Sequence, residues 1–342
     1  ADHLVLALRS RAALAAMHYP LDAGRTLMVN AKLVTIVLVW VESDRLLHTR
    51  NAFASGGVLE DPATGAATAA LAGYLRDLGS VAVAFSGGVD SSLLARVAHD
   101  ELGDRMLAVT AEIRSLPGHE ATEAERFCRE QGIPHAAVRF DELTIPGFGQ
   151  NPVDRCYLCK SALLAEMGSL ARERGMAWLA EGSNVDDEGD YRPGMRAVAE
   201  SGALSPLRAA GLGKEDIREL ARRLGLPTWD KPSSACLSSR FAYGETITAE
   251  KLERVELAEA FLREHGFDQL RVRIHGSGGE IARIEVPEEQ ITWVTGELRS
   301  VILRRFEELG FVYVTVDLAG FRSGSGNAVL DGATAANMHP NG

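Results

Sequence analysis

The sequence predicts an α/β protein built on a doubly wound parallel sheet, with a smaller α+β C-terminal domain and an N-terminal α+β extension. Three patterns support this prediction. Short apolar runs alternate with amphipathic helical stretches between residues 81 and 181. One of these runs, at residues 81–84, passes through a glycine pair directly into a helix. From residue 270 the pattern changes to strand, strand, helix and strand. Alternating strands and helices indicate a parallel sheet that helices cover on both faces.

The first 78 residues form the predicted N-terminal extension. Helices are predicted at residues 11–17 and 22–27, and paired strands with a polar turn between them at residues 33–41 and 46–53. An apolar helix is expected to end near residue 78. The apolar run at residues 33–41 is too short for a membrane span, so we interpret it as a buried strand.

Glycine and proline mark the ends of the later helices. Gly132 and Pro134 stop one helix, Gly175 caps the next, and a third ends at Gly225. In the central region these boundaries predict strands at residues 81–84, 106–110, 136–140 and 177–181, and helices at residues 91–102, 120–131, 161–174 and 213–224. In the C-terminal region we expect helices at residues 249–265 and 294–308, and strands at residues 270–274, 281–286 and 312–318.

Composition and charge restrict the class of protein. The chain has 342 residues, 46% hydrophobic and 24% charged, which suits a globular protein of two or three domains. A net charge of −11 without a dense Lys/Arg run argues against a nucleic-acid partner. The start, Ala1-Asp2-His3, lacks a basic leader region, so we expect a cytoplasmic protein with no membrane association. Its four cysteines are then expected to be ligands, nucleophiles or core residues and not disulfides.

The stretch that organises the chain runs from residues 81–84 into a helix through Gly87 and Gly88. Glycines let the backbone turn tightly and approach a ligand, and the first N–H groups of a helix have no partner within it. A phosphate is therefore expected at this helix start. The Walker pattern and the dinucleotide pattern Gly-x-Gly-x-x-Gly are both missing from this turn. We call residues 86–92 the phosphate loop; its candidate binding residues are Ser86, Gly87, Gly88, Asp90, Ser91 and Ser92.

Two further loops are expected at the same edge of the sheet, because ligands of such sheets bind where the strands end. Thr110 ends the second strand and is a candidate for an adenosine pocket. Residues 181–194 follow the fourth strand as a polar loop, whose acids either hold Mg²⁺ or are simply solvated. Its arginine would face a phosphate or a substrate carboxylate. The candidates in this loop are Gly182, Asn184 and Arg192 for the nucleotide, and Asp186 and Asp190 for the metal.

The cysteines form a second constellation. Cys156 and Cys159 make a C-x-x-C pair after the third strand, and Cys236 lies on another loop at the same end of the predicted sheet. Three cysteines can hold three irons of a [4Fe–4S] cluster, whereas zinc would want a fourth ligand such as His119 or His135. The alternative is three unrelated thiols. Cys128 lies within a predicted helix and is interpreted as a core residue.

Residues 56–66, Gly-Gly-Val-Leu-Glu-Asp-Pro-Ala-Thr-Gly-Ala, resemble a segment that lines the substrate cleft of PhzF-like isomerases. The catalytic Glu of that family belongs to a first half that these residues do not include. A Ser that the family often has after the second Gly is Ala66 here. We therefore interpret residues 1–78 as a C-terminal fragment of a PhzF-like protein with a structural role.

Motifs spread over residues 79–330 resemble LarE-type ATP-dependent sulfur transferases. These enzymes belong to the ATP pyrophosphatase (PP-loop) superfamily, with an adenine nucleotide alpha hydrolase-like fold. The matching segments are the phosphate loop and residues 181–194, 232–240, 271–273, 282–285 and 318–325. The resemblance implies a nucleotide domain at residues 79–230, a domain for substrate binding and sulfur transfer at residues 231–330, and a loose tail at residues 331–342.

The resemblance also implies a reaction: sulfur insertion into pyridinium-3,5-biscarboxylic acid mononucleotide, during synthesis of the nickel-pincer nucleotide of lactate racemase. ATP with Mg²⁺ adenylates a substrate carboxylate, pyrophosphate leaves, and a sulfur nucleophile displaces AMP. Cys236 matches the active cysteine of the family, and Cys156 with Cys159 matches its three-cysteine branch, in which a [4Fe–4S] cluster carries an extra sulfide. The implied partners are the mononucleotide, a sulfide donor and further copies in a homo-oligomer. Whether Cys236 gives up its own sulfur instead stays open.

Charged residues near the active cysteine complete the prediction. Arg271 and Arg273 alternate on a strand and so share a face, which suits the phosphate or carboxylates of the mononucleotide or else is a solvated face. Glu259 and Glu285 match acidic positions of the family and act either as a base or as ion-pair partners of these arginines. Arg240 would lower the pKa of the Cys236 thiol if its guanidinium approaches.

Three other functions stay open from the sequence. A tRNA thiolase also combines a PP-loop with three cysteines, but it would need a basic RNA-binding surface. A non-catalytic adenine-nucleotide-binding protein would bind ATP without releasing pyrophosphate. An isomerase would need its catalytic Glu from elsewhere.

Overall fold

The computed structural model describes residues 2–7, 21–30, 33–43, 46–52, 65–187, 193–232 and 235–322. The strands of these residues form three sheets, one of four strands and two of three strands. Within the described part of the chain, no helix combines the length and the hydropathy that crossing a bilayer requires.

The N-terminal region contains a sheet in the order β1-β2-β3. Strand β1 (Asp2–Ala7) runs parallel to β2 (Leu33–Ser43), which pairs antiparallel with β3 (Leu46–Ala52). Helix α1 (Leu21–Asn30) lies between the first two strands in the chain. The predicted strand pair and the helix at residues 22–27 are confirmed, whereas β1 is not part of the prediction. The helix predicted at residues 11–17 and the isomerase-like residues 56–64 lie outside the described residues.

The central sheet has the order β6-β5-β4-β7, and all of its strands are parallel. Its members are β4 (Val81–Ala84), β5 (Met106–Glu112), β6 (His135–Arg139) and β7 (Trp178–Ala180). Of these four strands, β4 comes first in the chain. The chain adds β5 and β6 on one side of β4 and then β7 on its other side, so the strand order reverses at β4. The carboxyl end of β4 is therefore the expected ligand-binding position of this fold. The predicted parallel sheet is confirmed.

Helices cover both faces of the central sheet. The helices of this region are α2 (Gly65–Leu78), α3 (Val89–Leu102), α4 (Gly118–Gln131), α5 (Arg155–Glu173), α6 (Pro193–Ser201), which packs on α5, α7 (Pro206–Ala209) and α8 (Lys214–Arg223). Side chains alternate along β4, so Val81 and Val83 join the buried cluster that contains Leu93 of α3. Ala82 joins the opposite cluster with Met167 of α5. The two clusters fix the sheet between two helical layers.

Helix α5 begins at Arg155 and not at residue 161, which corrects the sequence prediction. Cys156 and Cys159 therefore lie in the first turns of a helix and not in a loop. Residues three positions apart lie on the same face of a helix. The C-x-x-C pair is thus presented from one side of α5.

The C-terminal region is a second α+β unit. Its elements are α9 (Ala249–Glu264), β8 (Arg271–His275), β9 (Ile281–Glu285), α10 (Ile291–Thr295), α11 (Arg299–Glu308) and β10 (Tyr313–Val316). The sheet order is β10-β9-β8, around a core that includes Phe267, Ile284 and Phe306. The predicted strand–strand–helix–strand pattern is confirmed, but the helix predicted at residues 294–308 is two helices. Gly296 leaves the helical conformation (φ −102°, ψ −101°) and separates them. The domain boundaries stay a prediction.

Candidate active site

The phosphate loop connects β4 to α3 at the point where the strand order reverses. Gly87 has a φ of +70°, a conformation that glycine adopts without strain, and Gly88 is the N-cap of α3. The Oγ atoms of Ser86 and Ser91 lie 3.2 Å apart, and the Ser91 hydroxyl donates to the Gly88 carbonyl over 3.1 Å. These bonds hold a tight turn at the positive end of the α3 dipole, whose first N–H groups suit an anion.

A cavity of about 340 Å³ lies beside this loop. Sequence-predicted residues among those lining it are Ser86, Gly88, Asp90, Ser91, Thr110 and Gly182. Apolar side chains of Leu163, Leu164 and Met167 on α5 line it as well. Polar groups beside apolar side chains are typical of small-molecule sites, and this combination suits a phosphorylated ligand with an apolar ring.

Residues 181–184 lie against the start of α3. A Cβ atom at Gly182 would lie 3.2 Å from the backbone nitrogen of Ser91, so only glycine permits this approach without a shift. The Nδ2 of Asn184 donates a hydrogen bond of 2.8 Å to Oδ1 of Asp90. Asn184 therefore orients Asp90 and does not itself line the cavity. Ser92 is fully buried, and no described group bonds to its hydroxyl.

Thr110 is held in the cavity wall by a histidine. Its Oγ1 lies 2.9 Å from Nε2 of His135, the first residue of β6. Burial lowers the pKa of His135, which keeps the ring neutral, while Glu125 and Glu112 oppose that shift. His135 was a candidate zinc ligand from the sequence; the structure instead engages it with Thr110.

Lys160 lines the cavity although the sequence prediction does not include it. Its Nζ lies 3.2 Å from Oε2 of Glu181, which is buried and also accepts hydrogen bonds from the Ser183 and Ser205 hydroxyls. Lys160 follows Cys159 directly, so its position next to the C-x-x-C pair was the available signal. An ammonium group here attracts the phosphates of a nucleotide.

The acids near the cavity divide into two groups. Asp90 and Asp187 both line it. Burial raises the pKa of Asp90, and the charge of Asp187 raises it further. Asp186, a predicted metal ligand, instead accepts a hydrogen bond of 2.6 Å from the backbone N–H of Lys214 at the start of α8, and it does not line the cavity. The other predicted metal ligand, Asp190, and the predicted nucleotide-binding residue Arg192 lie outside the described residues.

Three buried arginines bond to the backbone at residues 235–239. These residues belong to the loop at residues 229–241 that carries Cys236, which we call the cysteine segment. The arginines come from α5, from the segment itself and from β8, and each donates to backbone carbonyls of the segment. Arg155 donates to Ser238 over 3.0 Å, Arg240 to Ala235 over 2.9 Å and to Cys236 over 3.3 Å, and Arg273 to Ser239 over 2.6 Å. The backbone around Cys236 is thereby fixed from several directions. Arg155 is not among the residues predicted from the sequence.

Glu259 and Glu285 are fully buried ion-pair partners of these arginines. Glu259 forms two hydrogen bonds with Arg240, of 2.7 and 2.9 Å, and accepts another from Arg263. Glu285 pairs with Arg273 over 2.8 Å. The geometry supports the ion-pair alternative for both carboxylates, although Glu259 pairs with Arg240 and not with Arg271 or Arg273.

Arg271 differs from Arg273 although both lie on β8. Arg273 is buried, whereas Arg271 is half-buried and lies over the ring of Phe321 at 4.6 Å from its centroid. Burial and the charges of Arg240 and Arg273 lower the pKa of Arg271. An anionic ligand would relieve this repulsion between positive groups, so Arg271 is the more suitable of the two for contacting one.

The thiols of Cys156, Cys159 and Cys236 lie within electrostatic range of one another. Burial, with smaller contributions from the charges of Cys236 and Cys156, raises the pKa of Cys159 to about 12. Burial also raises the pKa of Cys236, against the opposing charges of Arg155 and Arg240. Cys156 is exposed. Cys128 is buried in α4, where burial raises its pKa to about 12, as suits the predicted core residue.

The described candidate metal ligands do not converge on a single point. In the described ranges, no three His, Cys, Asp or Glu side chains are arranged to hold a single metal ion. A [4Fe–4S] cluster has a different requirement, because each cysteine binds its own iron and the sulfurs need not meet at one ion. The three thiols interact electrostatically with one another, and those of Cys159 and Cys236 also interact with Arg155 or Arg240. Thiol ligands with positive charges beside them are the residue types that an anionic iron–sulfur cluster requires.

Comparisons with known proteins identify relatives of this chain. A family model described as phenazine biosynthesis-like protein matches residues 1–106. An uncharacterized protein of Synechocystis is 44% identical over 258 residues, which are 75% of this chain and 95% of that protein. The pyridinium-3,5-bisthiocarboxylic acid mononucleotide synthase of Lactiplantibacillus plantarum is 40% identical over 272 residues, 78% of this chain and 96% of that enzyme. A tRNA-specific 2-thiouridylase of Rickettsia felis is 29% identical over 192 residues, 45% of this chain and 52% of that enzyme.

A parallel sheet with a phosphate loop where its strand order reverses, a loop-borne cysteine and these relatives define the class: an ATP-dependent sulfurtransferase with a PP-loop. The identity to the Lactiplantibacillus enzyme extends over nearly its whole length. The chain belongs to the LarE family of pyridinium-3,5-bisthiocarboxylic acid mononucleotide synthases.

Proposed function

We propose that this enzyme adenylates a carboxylate of pyridinium-3,5-biscarboxylic acid mononucleotide and converts it to a thiocarboxylate, a step in the synthesis of the nickel-pincer nucleotide. The observation that carries the proposal is the 40% identity to the Lactiplantibacillus synthase over 96% of that enzyme. The cavity at the phosphate loop and the arginine-held cysteine segment are the two parts that such a reaction needs.

Adenylation takes place at the phosphate loop in this proposal. ATP binds with its phosphates at the N-terminus of α3 and its base against the apolar side chains of α5. A substrate carboxylate oxygen attacks the α-phosphorus, and the bond to the β-phosphate oxygen breaks. The loop N–H groups and Lys160 stabilise the charge of the departing pyrophosphate. The acyl-adenylate then carries a good leaving group, which a free carboxylate lacks.

Mg²⁺ would be held by Asp90 and Asp187. Both carboxylates line the cavity and repel each other there, and a divalent cation removes such repulsion. When bound, Mg²⁺ supplies charge neutralisation of the pyrophosphate. Asn184 holds Asp90 in position for this role.

The mononucleotide carries a phosphate and two carboxylates, so it needs cationic contacts. Arg271 supplies one in this proposal, because it is half-buried and surrounded by positive charge. Arg273 does not contact the substrate in this proposal. It holds the cysteine segment by bonding to the Ser239 carbonyl and to Glu285. A sulfur nucleophile then attacks the acyl carbon of the adenylate, and AMP leaves.

Cys156, Cys159 and Cys236 would hold a [4Fe–4S] cluster, which when bound supplies a sulfide for transfer. The alternative source is the sulfur of Cys236 itself. In both cases the arginines on the cysteine segment keep Cys236 in place. The exposed Cys156 gives the site access to a sulfide donor.

Anaerobic turnover with ATP, Mg²⁺, sulfide and the biscarboxylated mononucleotide tests the proposal. We expect pyrophosphate, AMP and a product in which sulfur replaces oxygen, identified by mass spectrometry. Cys236→Ala should still release pyrophosphate but form no thiocarboxylate, and Cys128→Ala should behave like the unaltered enzyme. Failure of the mononucleotide to stimulate pyrophosphate release would contradict the proposal.

The mass of the protein and its iron and sulfide content, measured on the same samples, identify the sulfur source. A protein lighter by one hydrogen sulfide after turnover indicates that Cys236 gave up its sulfur. Repeated turnover with unchanged protein mass and with bound iron and sulfide supports the cluster. Repeated turnover by iron-free protein would refute the cluster.

A tRNA thiolase is the second candidate, because a tRNA-specific 2-thiouridylase shares 29% identity over part of the chain. The net charge of −11 disfavours it. Salt-dependent binding of tRNA together with thiolation of a uridine would support this alternative over the mononucleotide.

A further inference from the structure

Lys231 connects the cysteine segment to the phosphate loop. Its Nζ donates a hydrogen bond of 3.2 Å to the carbonyl oxygen of Gly87 and lies 3.0 Å from Oε2 of Glu123 on α4. Gly87 and Lys231 are 144 positions apart in the chain. The side chain therefore bridges the site of adenylation and the segment that carries Cys236.

The backbone of Lys231 is fixed from a second side. Arg218 on α8 donates to the carbonyl of Lys231 over 3.1 Å and to that of Trp229 over 2.9 Å. The N–H of Lys231 donates to the Thr228 carbonyl over 3.1 Å. The backbone at Lys231 is therefore held both by α8 and by its own turn.

The surroundings of the ammonium leave it room to move. A cavity of about 410 Å³ lies against it, lined also by Gly87, Thr228 and Arg126. The Thr228 hydroxyl is buried and has no hydrogen-bond partner among the described residues. Lys231 is half-buried, so its contact with Gly87 can adjust without disturbing a packed core.

Gly87 is the residue of the phosphate loop that contacts Lys231, so an anion bound in the loop would lie near the ammonium group. Gly87 has a φ of +70°, and its carbonyl accepts from Lys231. Phosphates binding at the α3 N-terminus bring negative charge beside an ammonium group, which is attracted to them and away from Glu123.

From this geometry we propose that Lys231 is a positioning residue that couples nucleotide binding in the phosphate loop to the placement of Cys236. This inference rests on the proposed function, because it assigns one enzyme both adenylation and sulfur transfer. When the loop is filled, Lys231 holds the cysteine segment against it. The sulfur nucleophile then attacks the acyl-adenylate faster than water hydrolyses it.

The test is the ratio of thiocarboxylate formed to pyrophosphate released in a single anaerobic turnover with ATP, Mg²⁺ and the biscarboxylated mononucleotide. In Lys231→Met we expect pyrophosphate release within about threefold of the unaltered enzyme, because the loop N–H groups remain. The ratio should fall about tenfold, the effect of losing one charge-assisted hydrogen bond, as water hydrolyses the adenylate to AMP and free carboxylate.

Two further variants distinguish the loss of the hydrogen bond from Lys231 to Gly87 from a general loss of activity. Lys231→Arg keeps a positive donor and should restore most of the ratio. Glu123→Gln removes only the other partner of Lys231 and should leave the ratio unchanged. An unchanged ratio in Lys231→Met, or an equal loss of pyrophosphate and thiocarboxylate in a folded variant, would overturn the inference. Lack of pyrophosphate release in the unaltered enzyme would instead refute the proposed function.

A measurement on the unaltered enzyme covers the case in which Lys231→Met does not fold. Hydrogen–deuterium exchange is compared with and without a non-hydrolysable ATP analogue and Mg²⁺. We expect slower exchange in peptides covering both the phosphate loop and residues 235–240. Protection that is confined to the phosphate loop would contradict coupling through Lys231.

Discussion

Arg155 donates a hydrogen bond of 3.0 Å from Nη1 to the carbonyl oxygen of Ser238, and so joins the helix of Cys156 and Cys159 to the segment of Cys236. Arg155 is buried, and the same nitrogen also bonds to Oδ1 of Asn151. The guanidinium is thus the physical link between the two sources of thiols.

Replacing Arg155 by methionine should destabilise the protein and disperse the thiols. The Ser238 carbonyl and the Asn151 amide oxygen would lose a buried charged donor, so we expect the free energy of unfolding to fall by about 2–3 kcal/mol. Urea titration measures the change. Arg172→Met, an exposed position on the same helix, should change it by less than about 0.5 kcal/mol. Equal stability of the two variants would contradict the linking role.

Glu259 distinguishes a positioning role from general-base catalysis. It is buried and holds Arg240 with two hydrogen bonds, so Glu259→Gln leaves a buried guanidinium without its counter-charge. We expect a loss of about 3–5 kcal/mol in the free energy of unfolding. Glu253→Gln, at an exposed position on the same helix, is the control. A Glu259→Gln variant that keeps full stability while losing sulfur transfer would indicate a base instead.

Arg271 and Arg273 should separate binding from stability. Arg273→Met breaks a buried pair with Glu285, and we expect it to lower the free energy of unfolding by about 3–5 kcal/mol. Arg271→Met should leave stability within about 1 kcal/mol, because its guanidinium is only partly buried. It should raise KM for the mononucleotide about tenfold, through loss of one charged contact. Reversed effects of the two variants would show that the substrate-facing arginine is Arg273.

The elements predicted correctly are those set by local pattern. The apolar run Val81–Ala84 and the glycine pair after it specify a strand and a turn within a few residues. The two helices around Gly296 show the limit of this approach, since a helical pattern continues past the residue at which the chain leaves the helix.

The interactions that could not be predicted join distant parts of the chain. Lys231 bonds to Gly87 across 144 positions, and Arg155 to Ser238 across 83. Neither residue lies in a pattern that distinguishes it from an exposed cation. Glu259 similarly lies on a helix where an exposed glutamate is common, and only the packing of α9 on β8 reveals its burial. Residue type indicated chemistry, but tertiary contacts decided which charges face a ligand.

Asp90 offers a test of function against stability. Burial raises its pKa above the ordinary value, with a further contribution from Asp187. A carboxylate whose pKa is raised by folding binds protons more tightly in the folded state, so it destabilises the fold at high pH, and this penalty fades as pH falls through the raised pKa. Asp90→Asn removes the charge but keeps an oxygen that accepts from Asn184. Without ATP, we therefore expect a higher Tm for Asp90→Asn than for the unaltered protein at pH 8, and a difference that shrinks as the pH falls toward the raised pKa of Asp90. The exposed Asp77→Asn should show no such trend.

With Mg²⁺ and ATP the order of the two Tm values should reverse, because Asp90→Asn loses a metal-binding carboxylate and with it the stabilisation that bound ligand gives. Thermal unfolding of the three proteins at pH 8 and at a series of lower pH values, with and without nucleotide, measures these differences. A lower Tm for ligand-free Asp90→Asn at pH 8 would contradict the assignment of Asp90 as a desolvated carboxylate that serves ligand binding.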